Sequence, residues 1–156
     1  MNIRLAEPAD VAAIIALMRE FAVFEGLLDH FENTEERLSQ ILFGEGRFVN
    51  ALVAEVDDRV WAYSIFYPNF ASFRGQLGMY LEDIYITADY RGRGIGDAML
   101  REVARIAARR GFERIDFQVL EWNTSAIDFY EKLGAVRDDI ERHFKFTDQA
   151  FAELSK

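Results

Sequence analysis

The chain has no cysteine, two prolines and two histidines in 156 residues. Without cysteine there is neither a disulfide nor a thiolate metal site. The histidines, His30 and His143, lie far apart, so no metal centre is expected. No apolar run approaches the roughly 20 residues of a membrane helix. The opening MNIRLAEPAD lacks the apolar segment of a signal peptide. These absences favour the cytoplasm and no membrane partner. Basic residues are scarce, 18 against 27 acids, and the formal net charge of −9 argues against nucleic acid as the main partner. With 51% hydrophobic and 29% charged residues the composition is globular. At this length a single domain over 1–156 is the default, burying roughly 70% of its unfolded surface.

The charge is unevenly placed. Residues 20–36 hold six acids and no Lys or Arg, whereas residues 91–114 hold seven Arg and three acids. The first stretch suits a cation and the second an anion. Two solvated faces would give the same pattern.

Periodicity assigns the elements. Residues 3–5 form a short strand. Val11, Ile14, Ile15, Met18, Phe21 and Ala22 recur at helical spacing up to a stop at Gly26. Thr34, Glu35 and Glu36 open a second helix, which runs to about Leu42. Strands 51–56 and 60–67 flank an Asp57-Asp58 hairpin turn, and Pro68 closes the second. Residues 69–76 read as a loop and 77–86 as the long central strand. A helix follows with Ile95, Met99, Val103, Ile106 and Ala107 on one face and Arg101, Arg105 and Arg109 on the other. Gly111 caps it. Strand 114–120, a helix from Thr124 or Ser125 to Gly134, a short edge element at Val136, a last strand 142–146 and a helix from Asp148 complete the order. This is mixed α/β.

The stretch from Leu81 to Gly96, LEDIYITADYRGRGIG, carries the chemistry. A buried strand interrupted by Glu82 and Asp83 leads through a turn into Arg91-Gly92-Arg93-Gly94-Ile95-Gly96 and a helix. Alternate glycines remove the Cβ atoms that would hold backbone N–H groups away from a phosphate. The helix N-terminus adds unsatisfied N–H groups and the positive dipole end, and Arg91 and Arg93 add charge. The P-loop lysine is missing, and Asp97 stands where a dinucleotide fingerprint needs glycine.

The Arg-x-x-Gly-x-Gly pattern after a strand resembles the pyrophosphate loop of the GNAT acetyltransferases. The further blocks Tyr80-Leu81-Glu82-Asp83-Ile84-Tyr85, Tyr90-Arg91-Gly92, Glu121-Trp122-Asn123 and Phe129-Tyr130 are most similar to the diamine (spermidine/spermine) and thialysine acetyltransferases. The resemblance implies the GNAT acyl-CoA fold over nearly the whole chain, a mixed central sheet flanked by helices, with strands four and five splayed at the cofactor site. It implies acetyl-CoA as cosubstrate, held by Ile84, Tyr85, Ile86, Arg91, Gly92, Arg93, Gly94, Ile95, Gly96, Asp97, Asn123, Ser125 and Ala126. Phe24, Glu25, Glu82 and Asp83 would meet a small-molecule amine, and the protein would be a homodimer. The acidic-Pro-Trp segment of the diamine enzymes is absent from residues 69–76.

Acyl transfer from a thioester requires a neutral amine, donors for the developing oxyanion and a proton for the departing thiolate. An alkyl amine of pKa near 10.4 is neutral about once in 2,500 molecules at pH 7. Glu82 is the candidate base, directly or through water, if burial and the adjacent Asp83 raise its pKa. Tyr130 is the candidate acid, since a phenol of pKa about 10 stays protonated. Two other activities fit the residues: acetylation of a protein lysine or peptide N-terminus, and a non-catalytic acyl-CoA sensor.

Overall fold

The strands Asn2–Leu5 (β1), Asn50–Val56 (β2), Arg59–Ala71 (β3), Gln76–Ile86 (β4) and Ile115–Phe117 (β5) form one sheet in that spatial order. The computed structural model describes residues 1–140 and 142–156. The chain divides into two compact units, Met1–Gln118 and Val119–Lys156. The whole sheet lies in the first.

Strands β1 to β4 pair antiparallel, and β4 pairs β5 in parallel. The parallel step needs a crossover, which the helix Ile95–Arg109 (α3) supplies. The helices Val11–Glu25 (α1) and Glu35–Phe43 (α2) cover one face of the sheet. Their Ile14, Leu17, Leu38 and Leu42 pack with Val53, Tyr63, Ile65 and Tyr85. On the other face Ile95, Met99, Val103 and Ile106 of α3 pack with Leu52, Phe66, Met79 and Leu81. Each fully buried side chain of this size is worth about 1.5–3 kcal/mol relative to exposure, so both faces are firmly held.

The β2–β3 hairpin turns on Asp57 and Asp58, both with left-handed φ (52° and 59°), the geometry of a two-residue primed turn. Gly26 (φ 71°) and Gly111 (φ 74°) end α1 and α3 as the sequence indicates.

The structure corrects three expectations. Strand β3 continues through Pro68 to Ala71, so most of 69–76 is hairpin rather than loop. Pro68 faces Met79, whose N–H donates to Arg114 on the far side, so β4 offers Pro68 no ladder bond. On the other edge β2 pairing has ended at Asn50 opposite Phe66. Proline's missing donor is therefore not needed there. Strand 114–120 contracts to Ile115–Phe117. Neither Val136 nor residues 142–146 form a strand. Val136, Phe144 and Phe146 are exposed, and a strand-like pattern without cross-strand packing does not make a strand.

In the second unit the helix Thr124–Lys132 (α4) is capped by Asn123, whose Oδ1 accepts the Ala126 N–H at 3.2 Å. The helix Asp148–Leu154 (α5) ends the chain.

Candidate active site

The β3–β4 ladder slips at one point. Ile65 pairs Asp83, but Phe66 pairs Leu81, so Glu82 is an extra residue on β4. Such a bulge bends and over-twists its strand. Adjacent residues on a regular strand point to opposite faces. Here both carboxylates reach residues on one face. The Tyr63 hydroxyl donates to Asp83 Oδ2 at 3.2 Å and the Tyr67 hydroxyl donates to Glu82 Oε2 at 2.7 Å. Tyr63 and Tyr67 are four residues apart on β3 and so share a face.

The two acids differ in environment. Glu82 is exposed, whereas Asp83 is partly buried. Burial pushes the Asp83 carboxyl up to about 6. The neighbouring charges of Glu82 and Glu25 add to this, and the Tyr63 hydroxyl partly opposes it. Burial also raises Glu25. The expectation that burial would tune Glu82 therefore transfers to Asp83. The Tyr63 and Tyr67 hydroxyls are both pushed up, chiefly by burial, then by the carboxylate each one meets.

Helix α1 completes this face. Phe21 stacks on Tyr85 with centroids 5.0 Å apart, and Phe24 lies 6.5 Å from the same ring. Glu20 accepts from the Tyr85 hydroxyl at 2.8 Å and from Thr87 Oγ1 at 2.6 Å. On the other side Tyr80 stacks on Tyr67 at 5.3 Å, and Phe48 meets Tyr67 edge-on at 6.1 Å. Carboxylates backed by aromatic rings form a site for an ammonium group, attracted both by charge and by the ring faces. Phe24, Glu25, Glu82 and Asp83 thus come together. Tyr63 and Tyr67 join them without having been singled out from sequence, together with Glu20, Phe21 and Tyr80, which the sequence placed only in the acidic stretch, on the helix face and in a motif block. The period-two spacing of Tyr63, Ile65 and Tyr67 was the available signal.

Pairing of β4 with β5 stops at Leu81–Phe117, one residue before the bulge. Beyond it β4 runs on to Ile86. The ladder thus ends with β5 itself, and the rest of β4 has no strand partner on that side. Thr87 N–H donates to Trp61 O, so by antiparallel alternation Tyr85 and Asp83 direct their peptide groups at β3. Ile84 and Ile86 direct theirs at the edge that β5 leaves unpaired. The Ile86 carbonyl there accepts from Arg91 Nε at 2.9 Å. Of the three residues expected to pair with a pantetheine chain, Ile84 and Ile86 have the orientation for it, and Tyr85 contributes its ring to the opposite site.

The glycine loop follows a short turn, Ala88–Tyr90. Gly92 (φ 72°) and Gly94 (φ 77°) are left-handed, and a Cβ at either would meet nothing within 4 Å. Gly94 is the N-cap of α3. The first N–H groups of that helix, at Ile95, Gly96 and Asp97, have no intrahelical acceptor. An open hollow with glycine backbone and a helix N-terminus fits a pyrophosphate. Arg91 spans both sites. Its guanidinium lies 4.6 Å from the Phe24 ring centroid and 5.3 Å from that of Tyr85. Arg93 lies over Tyr90. Asp97 pairs with Arg101 at 2.7 Å, and Arg105 and Arg109 pair with Glu102. The outer arginines of α3 are therefore largely internally neutralised.

In the second unit Tyr130 is buried and meets Phe129 edge-to-face at 5.1 Å. Burial pushes its hydroxyl up to about 12, so it stays protonated across the working range. Asn123 spends its Oδ1 on the α4 cap and engages the Ala126 N–H, while Ser125 is exposed.

Comparison with known proteins gives the family and the fold. Residues 14–135 match the acetyltransferase (GNAT) family. A thialysine N-epsilon-acetyltransferase of Bos taurus is 36% identical over 98% of this chain and 96% of its own. An L-ornithine N5-acetyltransferase of Arabidopsis thaliana is 32% identical over 86% of this chain and 78% of its own. Among solved structures, an integron cassette protein from the mobile metagenome of V. cholerae superposes with a TM-score of 0.82 at 21% identity, covering 99% of this chain and 97% of its own. With the family match spanning the bulged strand, the glycine loop and the Trp122-Asn123 to Tyr130 segment, the chain belongs to the GNAT acetyltransferase family.

Proposed function

We propose that the protein transfers an acetyl group from acetyl-CoA to a primary amine of a small cationic molecule, of the diamine, polyamine or lysine-like class. The observation that carries the acceptor class is the bulge, which sets Glu82 and Asp83 on one face among Tyr63, Tyr67, Tyr85, Phe21 and Phe24. Relatives named for thialysine and ornithine support the same class.

When bound, acetyl-CoA supplies an activated acyl carbon. The Gly92–Gly96 backbone and the start of α3 would hold the pyrophosphate, and Ile84 and Ile86 would hold the pantetheine amides as an added strand does. The ammonium lies against Asp83 and Glu82. A carboxylate of this pair takes its proton, directly or through water. Asp83, whose pKa is raised to about 6, is matched to an operating pH near 7. The neutral nitrogen would then bond to the acyl carbon and the carbon–sulfur bond break, Tyr130 giving its proton to the departing sulfur and regaining one, through water, from the nitrogen as that becomes an amide. Asn123, Ser125 and Ala126 remain the proposed contacts from the second unit. The family match runs across both units, which supports one acetyltransferase domain over 1–156. The reading includes a cytoplasmic homodimer, tested by fractionation and sedimentation.

An amine panel, scored by free coenzyme A thiol released, tests the activity. Turnover with diamines or lysine-like amino acids is expected. Turnover with basic peptides alone would move the acceptor to a protein lysine or N-terminus. Acetyl-CoA binding without any turnover would make the protein a sensor.

A further inference from the structure

Trp61 lies on β3, outside the carboxylate cluster, and no step above uses it. Its indole is the centre of a four-layer stack. The Arg59 guanidinium lies 4.6 Å from the Trp61 ring centroid on one side. The Tyr90 ring stacks at 4.3 Å with an interplanar angle of 14°. The Arg93 guanidinium lies 4.6 Å from the Tyr90 centroid. The sequence in space is cation, ring, ring, cation. Each contact of this kind is favourable because the negative ring face meets positive charge, or because the rings stack.

The stack joins the sheet to the glycine loop. Arg59 and Trp61 belong to β3, Tyr90 to the turn before the loop, and Arg93 to the loop itself. Trp61 is fixed twice over. Its Nε1–H donates to the Val56 carbonyl at 3.2 Å, and its own carbonyl accepts the Thr87 N–H at 3.0 Å. The turn is closed by Tyr90 N–H donating to Thr87 O at 3.0 Å. At the far end Arg93 Nη2 donates to the Asp89 carbonyl at 3.0 Å. Among the described residues neither Arg59 nor Arg93 is ion-paired with a carboxylate, in contrast to Arg101, Arg105 and Arg109. The Arg93 charge, one residue from Gly92 and Gly94, is thus held in place without being neutralised.

We infer that Trp61 is a positioning residue for the cofactor: through Tyr90 it holds the Arg93 guanidinium of the glycine loop where it receives the pyrophosphate. This rests on the reading of that loop as the acetyl-CoA site. Ordering a long side chain before binding removes that cost from the binding step. The gain appears in affinity for the cofactor and not in the chemistry.

The test is acetyl-CoA titration by calorimetry on wild type, Trp61→Leu, Trp61→Phe, Arg93→Ala and the Trp61→Leu, Arg93→Ala double variant. Trp61→Leu should raise the acetyl-CoA Kd by about ten-fold, with Trp61→Phe recovering most of it because the ring stack is kept. In steady state the acetyl-CoA KM should rise in parallel while kcat at saturation moves by less than about two-fold. The double variant should bind no more than about two-fold worse than Arg93→Ala alone, since Trp61 acts through Arg93. Tyr90→Leu, which removes the middle ring from the loop rather than from the sheet, must give the same ratio and serves if Trp61→Leu does not fold. Wild-type affinity in folded Trp61→Leu or Tyr90→Leu, or losses that simply add in the double variant, would overturn the inference. A wild-type protein that binds no acetyl-CoA would instead remove the loop assignment on which it rests.

Discussion

Replacing Asp83 with Asn separates the two carboxylates on the bulge. At a pKa of about 6, Asp83 is roughly 90% ionised at pH 7 and about 10% ionised at pH 5. If the ionised form takes the proton, the Asp83-dependent part of kcat/KM falls about ten-fold across those two pH units. The amine titrates too, but the ratio of wild-type to Asp83→Asn profiles cancels that contribution. The assay is quenched thiol release at each pH, developed at one common pH. The ratio should be large at pH 7 and above and about ten-fold smaller at pH 5. The Glu82 charge is one of the causes that raise Asp83, so removing it should lower the Asp83 pKa. Glu82→Gln should therefore move the acid limb to lower pH. Thermal stability gives an independent reading. The folded pKa lies above the unfolded value of about 3.9, so the folded state holds this proton more tightly. The stability linked to that proton is complete below about pH 4 and lost as pH rises through about 6. Asp83→Asn should consequently melt above wild type at pH 8, with the gap closing towards pH 4. A flat activity ratio across pH 5–8 would refute the assignment of Asp83 as the titrating base.

Removing the Tyr130 hydroxyl while keeping its ring, in Tyr130→Phe, should lower kcat by about 10²-fold or more. The acetyl-CoA Kd should change little, and the stability cost should be about 1 kcal/mol, one hydrogen bond's worth. A fully active variant would exclude Tyr130 as the acid. Gly94→Val places a branched side chain at φ 77° in a hollow with no protein atom within 4 Å of the new Cβ. It should weaken acetyl-CoA binding by about ten-fold or more, through occupied space and through strain in the left-handed region. Unchanged calorimetric binding in a folded Gly94→Val protein would contradict the pyrophosphate cradle.

The helices and most strands could be read from periodicity because each buries one side and little else decides its type. The Asp57-Asp58 turn and the Gly26 and Gly111 stops were equally legible, since few residues tolerate left-handed backbone. Pro68 misled because the cost of a proline depends on whether its neighbours demand a hydrogen bond, and that is a property of the partner strands. Residues 142–146 misled for the converse reason, a strand-like pattern that no pairing backs. At the site, the glycine loop was visible and the carboxylates were singled out. Which carboxylate is buried was not visible, because a bulge is a property of two strands together. Tyr63 and Tyr67 on β3 were missed for the same reason: they meet Asp83 and Glu82 across a ladder from 15 to 20 residues away in sequence.

The extra residue on β4 also sets how this site can change. Substitutions can alter the charge or size of Glu82 and Asp83 one at a time, and the fold absorbs them as local events. Loss of a single residue between Leu81 and Asp83 is different in kind. It would remove Glu82 itself, leave Leu81 opposite Phe66 and Asp83 opposite Ile65 in a regular ladder, and so abolish both the bend and the placing of two carboxylates on one face. The acceptor site is therefore open to gradual adjustment by point mutation and closed to change in strand length. A library that explores new amines should vary side chains on Tyr63, Tyr67 and Phe24 and leave the length of β4 untouched.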